Sequence, residues 1–115
     1  MGHKYDVPRL WTEQMGAVVA KQDELAAGAY VTGQSLEEMR QAYRTERAFW
    51  NEGGPSVASS TDRQVPTRYG QVRVRHYRPD AQGPSPLIVF VHGGGWVIGD
   101  VDTHDRITRP LCHLT

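Results

Sequence analysis

Cysteine is nearly absent: Cys112 stands alone, so no internal disulfide can form, which fits a reducing compartment. Long apolar runs are absent too. The longest, Leu87 to Val91, falls far short of the ~20 residues a membrane-spanning helix needs. The first residues lack the positive stretch followed by an apolar one that exports a chain, so neither a membrane nor export is expected and the cytoplasm is the default. Net charge is missing as well, with 13 Lys and Arg against 13 Asp and Glu. Without a basic run to neutralise a row of phosphates, nucleic acid is not an expected partner. At 115 residues the chain has room for one small domain, or part of one, but is short for a sheet covered on both faces.

What is present falls into two halves. Trp11, Met15, Val18 and Leu25 recur at helical spacing and predict a helix from about Pro8 to Ala27, stopped by Gly28. Ser35-Leu36-Glu37-Glu38 is a capping box that starts a second helix, with Leu36, Met39, Tyr43 and Trp50 as its apolar stripe and Gly53-Gly54-Pro55 as its end. Ser56 to Asp62 reads as a connection. The period then changes to two: Val72, Val74 and His76 point one way, and Arg73, Arg75 and Tyr77 the other. This predicts a strand with one wet face, paired through a turn at Tyr69-Gly70 with a strand near Arg63 to Thr67, as a hairpin at a sheet edge. Leu87 to Val91 is apolar without alternation, as in a strand buried on both faces. A last helix is expected from about His104, capped by Asp102 or Thr103, with Ile107, Leu111 and Leu114 as its buried stripe.

Directly after the apolar strand comes His92-Gly93-Gly94-Gly95-Trp96, then Gly99-Asp100 and the last helix. Consecutive glycines let the backbone turn with no side chain in the way, so successive amides can point into one cleft and donate to a developing negative oxygen. Strand, glycine loop and helix in this order match an oxyanion loop of the lipase and esterase type. A plain surface turn needs fewer glycines. A P-loop would need Gly-Lys-Ser/Thr, and a dinucleotide fingerprint would need glycine where Ile98 stands. The remaining histidines, at 3, 76, 104 and 113, show no metal-ligand spacing with His92 or with one another, so no metal is expected. His92 reads instead as the residue whose ring holds the glycine loop. Cys112 and His113 are adjacent and do not face each other on a helix. None of Ser35, Ser56, Ser59, Ser60 and Ser85 lies in a Gly-x-Ser-x-Gly elbow, so the nucleophile, acid and base are not expected among these residues.

His92 to Asp100 followed by Asp102-Thr103-His104-Asp105 resembles the bacterial acetyl esterases of the hormone-sensitive-lipase-like family, as do Leu36 to Pro55 and Val65 to Val72. The resemblance runs from about Ser35 to Thr115. It implies the amino-terminal part of an α/β-hydrolase fold: two cap helices, an edge hairpin, the first buried parallel-type strand and the first sheet helix. Residues 1–55 would be a helical cap segment and 56–115 the incomplete start of the hydrolase core. It also implies cofactor-free hydrolysis of short-chain acyl esters by a serine, an acid and a histidine lying beyond Thr115. Gly94 and Gly95 would be the oxyanion donors in the His92-Gly93-Gly94-Gly95 loop. A homodimer and regulatory protein partners belong to the same implication. The rival expectation is a non-catalytic interaction module derived from an esterase.

Overall fold

The structure, a computed structural model, describes residues 7–26, 31–81 and 83–115. After a 3-10 turn at Val7–Leu10 come helix α1 (Glu13–Leu25), helix α2 (Leu36–Trp50), strands β1 (Ser59–Thr67) and β2 (Gly70–Arg78), and helix α3 (Asp105–His113).

The single helix expected from Pro8 is broken at Trp11 and Thr12. Thr12 takes an extended conformation, and its hydroxyl accepts the Met15 amide at 3.1 Å. A hydroxyl there satisfies an otherwise orphaned amide, so α1 begins one turn later than its apolar spacing implies. The stop assigned to Gly28 lies outside the described residues. The capping box of α2 forms as expected: Ser35 Oγ accepts the Glu38 amide at 3.3 Å, and the Ser35 amide donates to Glu38 Oε2 at 2.7 Å. The Ser35 hydroxyl and amide hold the Glu38 carboxyl below its ordinary range. Of the expected stripe only Tyr43 is buried, and Glu46 is buried beside it. Arg47 lies 5.0 Å over the Tyr43 ring, so the inner face of α2 carries charge as well as apolar surface.

β1 and β2 form an antiparallel hairpin in which Val65 faces Val72 and Thr67 faces Gly70. Gly70 takes φ 120°, a value that favours glycine. The first strand starts at Ser59, inside the stretch expected to be a connection. Ser59-Ser60-Thr61-Asp62 has no apolar period to reveal it, but Asp62 pairs with Arg75 across the ladder, and such cross-strand partners decide strand formation.

The face of β2 expected to be wet is bonded instead. Asp62 accepts from both Arg73 and Arg75. Asp102 accepts from Arg73 Nη1 at 2.7 Å and Arg75 Nη2 at 2.6 Å. Asp105, the first residue of α3, accepts from Arg75 at 3.0 Å, Tyr77 Oη at 2.6 Å and Arg109 Nε at 2.5 Å. Bidentate guanidinium contacts to shared carboxylates are stronger than ordinary surface pairs, and here they fasten the hairpin to α3. Arg75 and then Arg73 hold the Asp62 carboxyl far below its usual range. Partial burial pushes Asp105 up, but Tyr77, Arg109 and Arg75 outweigh it and leave the carboxyl below that range.

The largest departure concerns Leu87 to Val91. The expected buried strand joins no ladder among the described residues, and Leu87, Val89 and Val91 are 82%, 78% and 83% exposed. A continuous apolar strand is buried only when neighbours cover both faces and pair both edges, and the described residues supply no such neighbours. For the same reason Ile107, Leu111 and Leu114, expected to be buried on α3, remain exposed.

Candidate active site

The segment from His92 to His104 is built around its carbonyls and glycines. The Gly94 carbonyl accepts the amides of Val97 at 3.1 Å and Ile98 at 3.0 Å, closing a tight turn. Gly94 has φ 131°, and a Cβ there would lie 1.8 Å from the Ile98 carbonyl oxygen. No side chain fits at that position. Gly95 and Trp96 follow in the left-handed region, at φ 60° and 58°, and a Cβ on Gly95 would meet nothing within 4 Å. Glycine is therefore required by space at 94 and favoured by conformation alone at 95. Nothing in the structure explains a glycine at 93. Among the described residues no acceptor takes the amides of Gly94 or Gly95.

His92 and His104 brace this turn. His92 Nδ1 lies 2.7 Å from the Gly93 carbonyl, which can only accept, so the hydrogen sits on Nδ1. The two imidazole rings stack, with centroids 4.9 Å apart. Gly99 lies against both rings: a Cβ there would come within 3.0 Å of the Gly93 carbonyl, 3.1 Å of His92 Nδ1 and 3.2 Å of His104 Cε1. His104 Nδ1 lies 3.0 Å from Thr103 Oγ1 and 3.3 Å from the Asp100 carbonyl. Burial first, opposed by the Asp100 carbonyl and aided by the charges of His92 and Arg47, lowers His104 below the ordinary histidine value.

Asp100 and Thr103 form a closed unit on the far side of the glycine loop. Asp100 Oδ1 accepts the amides of Asp102 at 3.0 Å and Thr103 at 2.9 Å, while the Asp100 amide donates to Thr103 Oγ1 at 2.8 Å. Arg44 of α2 donates to Asp100 Oδ2 at 2.8 Å, and Arg40 donates to the Val97 carbonyl at 2.9 Å. Partial burial raises the Asp100 carboxyl, but Arg44 and the Thr103 amide prevail and leave it below its usual range. The side-chain cap expected from Asp102 or Thr103 is not made. His104 stands at the cap position without a side-chain bond to the helix amides, and Asn51 at the end of α2 accepts the Arg106 amide at 3.0 Å instead. Asn51 Nδ2 also donates to the buried Thr103 carbonyl at 3.0 Å.

Sequence reasoning named His92, Gly93, Gly94 and Gly95, and the structure places them in one turn. It missed Arg40, Arg44, Asn51, Asp100, Thr103 and His104 as its supports. Only Asp100-x-x-Thr103 carried a local signal, an acidic residue three before a hydroxyl at a helix start. Replacing Asp100 with alanine strips an acceptor from two amides and a guanidinium. We expect a loss of about 2–3 kcal/mol in denaturant unfolding, and a smaller loss for Asp100→Asn, which keeps one carbonyl oxygen for the amides.

A cleft of about 920 Å³ lies between β2, the Leu87 to Val91 stretch and α3. Its lining includes His92, Gly99, Asp100 and His104 but leaves out residues 93–98. Gly94 and Gly95 are thus not among the residues lining this cleft.

No family model matches the chain. Solved structures do. The hyperthermophilic esterase from the archaeon Pyrobaculum calidifontis matches with a TM-score of 0.72 and 29% identity, over 85% of this chain and 32% of that one. A monoclinic form of a Pyrobaculum calidifontis esterase gives 0.64 and 28%, over 81% and 30%. An ester-hydrolase from the metagenome of Lake Arreo, complexed with a derivative of bipyridine phosphonate, gives 0.73 and 24%, over 89% and 34%. The fold is that of the amino-terminal part of an α/β-hydrolase. The chain spans about a third of the length of the structures it matches.

Proposed function

We propose that this segment supplies the oxyanion half of a serine-esterase site, and that the intact protein hydrolyses short-chain acyl esters such as acetyl esters without a cofactor. The observation that carries this reading is the pair of amides at Gly94 and Gly95 that no acceptor takes among the described residues, held in a turn whose closure uses the Gly94 carbonyl. Such preset donors need no reorganisation when negative charge develops on a carbonyl oxygen. In this reading the proposed roles are Gly94 and Gly95 as oxyanion donors and His92 with Gly93 as the prop behind them. Residues 1–55 serve as a cap and 56–115 as the start of the catalytic core, with the nucleophile, acid and base supplied from outside these residues. The similarity to two esterase structures from Pyrobaculum calidifontis supports the ester substrate. No helix among the described residues is long and apolar enough to cross a membrane; a cytoplasmic location is part of the same proposal.

The rival, a non-catalytic module that binds a protein, draws on the exposed apolar stretch from Leu87 to Val91. One experiment separates the two. The coding DNA past Thr115 is read for a Gly-x-Ser-x-Gly elbow, and the resulting protein is assayed on nitrophenyl esters of increasing acyl length. We expect an elbow, and kcat/KM greatest for acetyl and falling as the acyl chain lengthens. Unrelated sequence with no turnover would leave the interaction module.

A further inference from the structure

We infer that His104 is a positioning residue for the glycine loop: as a neutral ring stacked on His92, it holds the Gly94 turn in the conformation that keeps the Gly94 and Gly95 amides free for an acceptor. The inference rests on the oxyanion reading of those amides and adds the residue that maintains them.

The geometry forms a chain of contacts from α3 to the glycines. Thr103 is 5% exposed, and its hydroxyl donates to the Asp100 carbonyl at 2.9 Å, so the backbone that carries His104 is fixed. His104 Nδ1 faces the Asp100 carbonyl, which can only accept, so that nitrogen carries the hydrogen of a neutral ring. The ring then lies against His92, whose own Nδ1 is spent on the Gly93 carbonyl. With Gly99 against both rings, the stack and the turn cannot move independently.

Charge decides how stable this arrangement is. Tyr43 and Arg47 face the pair from α2, with Glu46 beside Arg47. Asp100 faces it from the loop, its carboxylate already held by Arg44 and two amides, and Arg73, Arg75 and Asp102 are committed to one another farther out. A second proton on His104 would meet the Arg47 guanidinium and any charge on His92 across the stack. The folded state lowers the affinity of His104 for that proton, so the unfolded or loosened state binds it more readily. Stability from the stack is therefore complete above the ordinary histidine value of about 6.5 and is lost as pH falls below it.

The test is amide exchange on the 115-residue chain, read at Val97 and Ile98, whose amides close the turn on the Gly94 carbonyl. Exchange in α2 serves as the control for folding. Protection, corrected for intrinsic rates, is expected to be high at pH 7.5 and to fall as pH drops through 6 toward 5. His104→Phe keeps a flat ring on His92 but cannot titrate, so it should retain protection and lose the pH response. His104→Ala should lower protection at pH 7.5 by roughly three- to tenfold, the scale of one aromatic pair, and converge with the parent as pH falls toward 5. Phenylalanine and alanine behaving alike, or an unchanged pH response in His104→Phe, would overturn the inference. If the alanine chain unfolds, His104→Phe decides alone by the same criteria. Because the readout is loop order, a loop that follows His104 in a protein without ester turnover would leave this inference standing and remove the oxyanion reading.

Discussion

A Gly94→Val substitution in a hydrolase carrying this segment lowers turnover by about a hundred- to a thousandfold, the loss associated with removing one oxyanion donor. The cause is local. A Cβ at 94 would fall 1.8 Å from the Ile98 carbonyl oxygen, in a backbone with φ 131°, so the turn must open and the amides at 94 and 95 must re-aim. Gly95 provides the internal comparison. It has space for a side chain and a left-handed φ of 60°, the same region that Trp96 already occupies. Gly95→Ala pays only the conformational strain of about 1–2 kcal/mol and should keep its amide in place, so its turnover should stay well above that of Gly94→Val. Both positions lie in one turn, Gly94 half-buried and Gly95 exposed, and the fold should survive in each variant. Circular dichroism and kcat/KM measured side by side check this. Equal turnover in Gly94→Val and the parent enzyme would remove the oxyanion assignment.

The 115 residues by themselves are expected to give no burst with an activated acetyl ester and no covalent label from a serine-directed phosphonate. Covalent catalysis needs a nucleophile with a base in hydrogen-bond reach, and three pairs here resemble one without qualifying. Ser35 Oγ donates to Glu38 Oε2 at 2.7 Å, but that carboxyl is held below its ordinary range by its capping bonds and is a weaker base for it. Thr103 Oγ1 lies 3.0 Å from His104 Nδ1, yet the hydroxyl is buried and donates its hydrogen to the Asp100 carbonyl. Cys112 and His113 are neighbours on α3, where adjacent side chains diverge. Mass spectrometry after phosphonate treatment is the readout. Stoichiometric modification of any serine or threonine would contradict the expectation, whereas a slow, non-saturating background from exposed histidines would not.

What could be read from the sequence was local chemistry. Ser35 and Glu38 are three apart and need only each other, so the capping box was legible, and so was the crowded glycine turn after an apolar run. What could not be read depended on distant partners. Ser59 to Asp62 became a strand because Arg75 and its neighbours lie opposite, and no period announces that. Asn51 caps a helix that begins more than fifty residues later. The wet face assigned to Arg73 and Arg75 followed from their charge, whereas Asp62, Asp102 and Asp105 turn it into the seam between hairpin and helix. Leu87 to Val91 was read as a buried strand from its apolar run alone, but burial belongs to the neighbours of a strand and not to its own residues. The same distinction separates His92, visible beside its glycines, from His104, whose role depends on a ring stacked on it from across the loop.

In the proposed role, the amides of Gly94 and Gly95 bind the oxygen that becomes negative during ester hydrolysis. The most direct measurement is a crystal structure of a hydrolase carrying this segment with a phosphonate bonded to its catalytic serine, because the phosphonyl oxygen occupies the place of that oxyanion. This oxygen is expected within about 2.7–3.1 Å of both the Gly94 and Gly95 nitrogens, with the Val97 and Ile98 amides still on the Gly94 carbonyl. A phosphonyl oxygen held by other donors, with the Gly94 and Gly95 amides turned away from it, would contradict the proposed role.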